Sequence, residues 1–537
     1  MPTVTIDGRT VDVPAGTNLI EAGLKVGVQI PHYCYHPRLS VVGQCRMCLV
    51  KVEGMPKLQA ACATQVVKDG MVVSVDHPEV KALQEGVMEF LLINHPLDCP
   101  ICDQAGECGL QDYSFKHGQS FSRFDYEDKR TYPEKERIPL GPTVLLNMNR
   151  CIQCSRCVRF THEISKTSEI SFFERGAHLE IGTFPGKPLD NELSTCVVDI
   201  CPVGALTSTQ FRFAERVWYL DKKPSLCTGC DVGCNITIEH RRGAIRRYKP
   251  RFNEAVNDYW MCDHGRTTFA RYATLPRLAA PRLLRGGEIQ GATWKDALDA
   301  VVHKLKGRSE GAVAFLGSGF LTTEEGFLLA RLSAAVGSPH RAVSVDGGPL
   351  RTIPNRQGGI SGRDAAPNRR GVELAGMVPG EGGFDAAALL LGDAASRCAV
   401  LFVADSDFGA AAHDPKVIER LRQARVLVVM GWADSPLAQV ADIALPAATH
   451  AESEGCFVNV DGRLQRFERA FPAIGEARPG LEVLRDLLAR FDAQWQGLGA
   501  EAVFARMAAA LPALNGLTLR ALPAEGVKLA MAGGSPR

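Results

Sequence analysis

The stretch Cys34-Tyr-His-Pro-Arg-Leu-Ser-Val-Val-Gly-Gln-Cys-Arg-Met-Cys48 places three thiols on one loop, and a fourth follows at Cys62. The pattern is C-x10-C-x2-C-x13-C. Three thiolates from one loop and one from a more distant strand is how a plant-type 2Fe-2S cluster is held, although the plant spacing itself is C-x4-C-x2-C. A structural zinc is the alternative, but zinc sites favour two separated C-x2-C pairs. Cys34, Cys45, Cys48 and Cys62 are therefore read as 2Fe-2S ligands. Gly43 is expected to let the loop backbone approach sulfur closely, where amide donors stabilise negative charge. Around this loop, residues 3–13 read as two strands about the Asp7-Gly8 turn. A helix follows, with Asn18 and Glu21 in capping-box spacing and Gly27 as its stop.

Three more groups follow. His95, Cys99, Cys102 and Cys108 come after a helical stretch at 79–94 whose apolar face is expected to be Val80, Leu83, Val87, Phe90 and Leu91. Three thiolates here lack a fourth partner, and Pro96 holds His95 extended beside them, so His95 is read as the fourth ligand of a 4Fe-4S cluster. Cys151, Cys154, Cys157 and Cys201 fit half of the bacterial C-x2-C-x2-C-x3-C-P run. Thr161 stands where the fourth Cys would be, and Asn191, Ser194 and Val197 replace the ligands that would precede Cys201-Pro202. One 4Fe-4S cluster in a two-cluster scaffold is the expectation, with Cys196 out of register and not a ligand. Cys227, Cys230, Cys234 and Cys262 flank a hairpin turning through Arg242-Gly243, and fit a 4Fe-4S cluster better than zinc. The basic run Arg241, Arg242, Arg246, Arg247 and Lys249 reads as a solvated hairpin face.

The rest of the chain bounds the function. Of the 18 cysteines, only Cys398 and Cys456 lie beyond residue 262, and across 537 residues the formal charge is +1. Such a balance gives no field to draw in nucleic acid, no apolar run reaches the length of a membrane span, and no secretion signal opens the chain. Thiols at two-residue gaps without a secretion signal read as metal ligands rather than disulfides. Residues 119–142 are a polar connection. Beyond residue 290 the texture is α/β, with strands near 312–316, 399–403 and 426–430. Helices are expected at 295–306, 323–336, 415–423 and 480–491, and a long loop at 346–383.

Cys34-Tyr-His-Pro-Arg-Leu-Ser through Gln44-Cys-Arg-Met-Cys48, His95-Pro-Leu-Asp-Cys-Pro-Ile-Cys-Asp-Gln104 and Asp199-Ile-Cys-Pro-Val-Gly-Ala-Leu206 resemble the large iron–sulfur subunit of proton-translocating NADH:quinone oxidoreductase, respiratory complex I. The likeness runs through the first 275 residues. The remainder is similar, more loosely, to the molybdopterin oxidoreductase superfamily, through Gly317-Ser-Gly319 and Leu445-Pro-Ala-Ala-Thr-His-Ala-Glu452 with Gly455.

The resemblance implies a multidomain α+β then α/β chain. Its parts would be a β-grasp 2Fe-2S ferredoxin-like domain (1–78), a His/Cys3 4Fe-4S segment (79–118), a ferredoxin-like 4Fe-4S domain (119–217), a molybdopterin-oxidoreductase-type 4Fe-4S domain (218–274) and a degenerate α/β domain (275–537). It implies one 2Fe-2S and three 4Fe-4S clusters, no molybdopterin, and electrons passing from NADH and flavin on a partner subunit toward quinone. The implied partners are that subunit, a small 2Fe-2S subunit and the quinone-module connecting subunits. The implied location is peripheral, on the cytoplasmic side of a bacterial inner membrane.

The competing resemblance is to the catalytic subunit of an NAD-linked molybdenum or tungsten formate dehydrogenase. Against it stand His264 where active relatives carry lysine, no Cys between residues 263 and 397, and only about 260 residues to cage two pterins. Iron-only hydrogenase shares the N-terminal modules, but no further cysteine set follows Cys262.

Overall fold

The computed structural model describes residues 1–309, 311–344, 348 and 351–530. They form two compact units, residues 1–220 and 221–537.

In the first unit, Thr3–Ile6 and Arg9–Asp12 make an antiparallel hairpin whose Asp7 and Gly8 both have positive φ, as the Asp-Gly turn predicts. Both strands lie in a five-stranded sheet in the order Arg9–Asp12, Thr3–Ile6, Met71–Ser74, Leu49–Val52, Gln59–Ala60. The helix Leu19–Lys25 packs on it through Leu19, Ile20 and Ala22. Only half of the expected capping box forms. Asn18 accepts from the Glu21 amide, but the Glu21 carboxylate turns away to take the Tyr35 hydroxyl at 2.7 Å.

The helix Pro78–Leu92 buries Val80, Gln84 and Met88, while Phe90 is 81% exposed. The buried stripe is thus rotated from the expected one, because Met88 meets the Tyr33 hydroxyl. Farther on, Leu206–Ser208, Val144–Leu146 and Ile138–Pro139 make a three-stranded sheet, with the short helices Arg156–Glu163 and Cys196–Ile200 beside it. Thr161 is fully buried and donates to the Val158 carbonyl. Where the two-cluster pattern would have a thiolate, this chain spends a hydroxyl on backbone.

The second unit begins with a three-stranded antiparallel sheet, Asp221–Leu226, Asn235–Arg241 and Ala244–Pro250, whose turn residues Arg242 and Gly243 both have positive φ. The first of these strands is not legible in the sequence, since it carries Pro224 at a sheet edge. The basic face is not simply solvated: Arg247 pairs with the buried Glu239 at 2.7 Å.

A seven-stranded sheet follows, in the order Glu288–Gly291, Arg282–Arg285, Ile443–Pro446, Leu427–Gly431, Val400–Ala404, Val313–Gly317, His340–Val343. The last five are parallel. Successive residues point to opposite faces, so Phe315, Phe402 and Val428 enter one core and Leu316, Val403 and Val429 the other. Helices Trp294–Leu305, Thr323–Ala335 and Gly480–Ala489 cover the first face, and Ala386–Leu390 and Pro415–Leu421 the second. The expected strands and helices thus appear within one or two residues, and the sheet's other four strands, Arg282–Arg285, Glu288–Gly291, His340–Val343 and Ile443–Pro446, are additional. Of the loop expected at 346–383, residues 346, 347, 349 and 350 lie outside the described residues. The remainder includes a two-stranded hairpin, Thr352–Ile353 with Ile360–Ser361, and a helix, Arg369–Leu374.

Candidate metal centres

The first set is built on the loop that leaves the five-stranded sheet. Cys34, Cys48 and Cys62 are each about 1% exposed. The thiols stand in two touching pairs, Cys34 with Cys45 and Cys48 with Cys62. Within the first pair the neighbouring thiol, joined by the Gln44 and Cys45 amides, pushes Cys34 down to about 5, and Cys45 is raised as the group that keeps the proton. Gly43 does not play the expected part: a Cβ there would meet nothing within 4 Å. Its requirement is conformational, φ +59°, and Arg46 nearby adopts the same left-handed backbone.

The second set surrounds a cavity of about 200 Å³ lined by His95, Cys99, Cys102 and Cys108, with Leu92 and Arg150 among the other walls. Cys99 is exposed and the other two thiols are buried. Burial, then the positive charges of Arg150 and Lys129, hold the His95 imidazole down at about 4, so it is a neutral nitrogen donor at ordinary pH. Lys129 is itself held by the carbonyls of Leu92 and Ile93, which end the preceding helix. Arg150, 5% exposed, donates twice to Asp98, at 2.7 and 3.0 Å.

The third set lines a tighter cavity of about 20 Å³: Cys151, Cys154, Cys157 and Cys201, walled by Ile181, Val203 and Leu206. Gln153 and Ser155 sit at φ +53° and +62°, which bends the chain around the thiols. Burial pushes the Cys201 thiol up to about 12, opposed by the amides of Val203, Leu206 and Ala205. Cys196 is fully buried and does not line this cavity.

These three sets are neighbours within the first unit. Tyr33 senses both Cys108 and Cys45. The Gly109 amide donates to the Pro202 carbonyl at 3.1 Å, joining the second set to the third. The Gln44 side chain donates to the Gln153 carbonyl at 2.7 Å, joining the first to the third.

The fourth set lies in the second unit, with Cys227, Cys230, Cys234 and Cys262 all under 7% exposed and acting electrostatically on one another. The Gly229 amide donates to Cys227 sulfur and the Gly265 amide to Cys262 sulfur, at 3.4 and 3.3 Å. Arg351 lowers three of the four thiols against the dominant effect of burial.

Among the described residues, no three His, Cys, Asp or Glu side chains converge on a position for a single ion. The second and third sets surround cavities instead. Thiolate and imidazole donors, most of them buried, neutralised in part by arginine and met by backbone amides, fit iron–sulfur clusters. Sequence reasoning missed Arg150, Arg156, Arg159, Arg351 and Gly204. For Arg150, Arg156 and Arg159 the available signal was arginine inside or directly beside a cysteine run, though not which distant group each reaches; Arg351 and Gly204 had no such signal.

The α/β sheet has its own crevice. The chain moves from Val313–Gly317 outward to His340–Val343 and then back to Val400–Ala404 on the other side, which is the topological switch where such sheets bind ligands. The cavity there is about 60 Å³, with Phe320, Tyr272, Trp432, Arg271 and Asp405 among its walls. Arg271 and Asp405 on its walls have partners: Arg271 pairs with Asp407 at 2.5 Å, and Ser318 donates to Asp405 at 2.7 Å. The helix after Gly319 spends its first amides on a Thr322–Glu325 capping box. Cys456 is packed, and its amide donates to Glu324. Glu452, in the shared segment, is buried and holds Arg277 at 2.7 and 3.0 Å.

Family models match in chain order. Residues 1–78 match the 2Fe-2S iron-sulfur cluster binding domain, and 84–123 the NADH-ubiquinone oxidoreductase-G iron-sulfur binding region. Residues 141–207 match the ferredoxin-like domain of NADH-quinone oxidoreductase subunit 3, and 228–270 the NDSU1/NuoG-like 4Fe-4S domain of NADH-ubiquinone oxidoreductase. Residues 379–490 match molybdopterin oxidoreductase.

The G subunit of NADH-quinone oxidoreductase from Rickettsia bellii is 42% identical over 337 residues, covering 62% of this chain and 48% of its own. The mitochondrial NADH-ubiquinone oxidoreductase 78 kDa subunit of Neurospora crassa is 44% identical over 301 residues, 56% of this chain and 40% of its own. A solved chain of NAD+-reducing [NiFe]-hydrogenase in the H2-reduced state aligns at TM-score 0.36 and 30% identity, covering 40% of this chain and 91% of that one. The aligned part spans about half the length of the curated relatives. Among the described residues, no helix is long and apolar enough to cross a membrane.

Proposed function

We propose that this chain, a relative of the NADH-quinone oxidoreductase G subunits, is an electron-relay component of such a complex, carrying electrons from NADH and flavin on a partner toward quinone. The clusters, when bound, supply one-electron steps. The ligands we assign are Cys34, Cys45, Cys48 and Cys62 to a 2Fe-2S cluster. Three 4Fe-4S clusters are assigned to His95 with Cys99, Cys102 and Cys108, to Cys151, Cys154, Cys157 and Cys201, and to Cys227, Cys230, Cys234 and Cys262. The five-part division at residues 78, 118, 217 and 274 belongs to the same reading.

The observation that carries it is the adjacency of three donor sets in one unit, where Gln44 donates from the first set to the Gln153 carbonyl of the third, and the Gly109 amide beside the second to the Pro202 carbonyl of the third. A relay needs sites close together, whereas independent structural ions do not. The protein's own work is to hold donors, exclude water from buried thiols and place fixed positive charge beside them. A site for bond-making is not supported: a crevice of about 60 Å³ is well short of the roughly 300 Å³ of a small ligand site, and Arg271 on its wall is already paired with Asp407. The implied partners are a flavin- and NADH-binding subunit, a small 2Fe-2S subunit and subunits leading to quinone. The implied location is peripheral, on the cytoplasmic face of a bacterial inner membrane.

Metal analysis of anaerobically purified chain tests this. The reading requires about fourteen iron per chain and no stoichiometric molybdenum or tungsten. One molybdenum or tungsten per chain would overturn it in favour of a formate-dehydrogenase-type catalytic subunit.

A further inference from the structure

Two arginines in and beside the third cysteine run have no carboxylate to answer them. Arg159 is 7% exposed. Its Nη2 donates to the Cys34 carbonyl at 2.6 Å and the Cys154 carbonyl at 3.4 Å, its Nε to Ser155 Oγ at 3.1 Å, and its Nη1 to the Ser40 carbonyl. Arg156 donates through Nη1 to the Ile200 carbonyl at 3.0 Å and through Nη2 to the Tyr35 carbonyl, while its Nε is buried with no acceptor. Each acceptor is a carbonyl or hydroxyl, and among the described residues neither guanidinium is ion-paired. Neutral acceptors satisfy N–H groups but do not cancel charge, and a buried cation without a counter-charge destabilises the fold. The thiols of Cys154, Cys201 and Cys34 all act electrostatically on Arg156. They belong to two different donor sets.

We propose that Arg156 and Arg159 are a charge bridge between the first and third sets, cations whose counter-ions are the two clusters, so that both reduction potentials are held up by one shared pair. This rests on the ligand assignment above. It makes both arginines positioning residues: their hydrogen bonds fix the Cys34 loop against the helix Arg156–Glu163, and their charge acts on both clusters through the intervening sulfurs. A structural clamp alone would need only the hydrogen bonds. A charge bridge needs the cation itself.

EPR-monitored redox titration of the full chain, purified anaerobically, separates these, using wild type, Arg156→Gln and Arg156→Lys. Arg156→Gln is expected to lower the midpoints of both clusters, each by about tenfold in the one-electron equilibrium, or ~59 mV. Arg156→Lys keeps the charge but not the forked hydrogen bonds, and is expected to restore most of both shifts. A fall in only one midpoint, or a Lys variant that behaves like Gln, overturns the bridge. Should Arg156→Gln lose its iron, Arg156→Lys decides alone: both clusters present near wild-type midpoints supports the proposal, and loss of either overturns it. Absence of the two signals from wild type would overturn the ligand assignment, and the bridge with it.

Discussion

Gly204 and Cys102 lie so close that a Cβ at residue 204 would stand 2.1 Å from the Cys102 sulfur. Gly204 belongs to the Cys201-Pro-Val-Gly turn of the third set, and Cys102 to the second. The cavity of the second set is therefore closed in part by main chain from the third, and glycine is there for space, with no unusual φ demanded of it. Ordinary side-chain contacts lie beyond 3.4 Å, so even a methyl group displaces a candidate ligand.

Gly204→Ala is expected to empty or distort the second set while leaving the first intact. Iron per chain should fall by about four, with the 2Fe-2S signal unchanged. Full iron and an unaltered spectrum in this variant would show that Cys102 is not a ligand in this position.

His95→Cys should still assemble a cluster, because a thiol reaches the same cavity wall, and its midpoint should drop. A thiolate adds one negative charge where a neutral imidazole stood, and burial with Arg150 and Lys129 already keeps that imidazole uncharged. Potentiometric EPR of the variant checks the direction. An unchanged signal and midpoint would remove His95 from the ligand set.

Cys196→Ala should leave the iron content intact, whereas Cys201→Ala should cost one cluster. Cys201 lines the third cavity with three other thiols, and Cys196 lies in the core five residues earlier, away from it. Iron quantitation on both variants decides the register, and reversed losses would mean that the chain enters this set one helical turn earlier than assigned.

How far the sequence carried depends on whether the information was local. Cysteine spacing is local, and the members of the second and third sets do share a cavity each. Parallel strands such as Val400–Ala404 are continuous apolar runs and were legible within a residue. What stayed hidden was set by distance along the chain. Arg159 reaches Cys34 across 125 residues, and Gly204 meets Cys102 across about a hundred, so neither role has a local signature. Phe90 misled because helical period gives an apolar stripe but not which neighbour it meets, and Met88 took the buried position against Tyr33. Thr161 was legible as a missing ligand, but its hydrogen bond to Val158 had no sign in spacing.

Glu324 predicts a pH dependence for the second unit. It is fully buried, and burial pushes its carboxyl up to about 7 from 4.5, against the amide of Cys456, which favours the ionised form. A carboxyl whose folded pKa is raised takes up its proton more readily when folded, so its contribution is fully present below about 4.5 and is lost as pH rises to about 7. The whole effect is roughly 3 kcal/mol at 1.36 kcal/mol per pH unit. Asp405, buried and raised to about 6 by the same cause and by Asp407, slopes the same way. Glu324→Gln removes its own titration while keeping an oxygen for the Cys456 amide. Thermal melts of wild type and variant at pH 5.5 and pH 8 should therefore lie closer together at the lower pH and separate further at the higher, with the variant more stable there by several degrees. Parallel melts at both values would mean that Glu324 is ionised throughout, and that some other group, not burial, governs it.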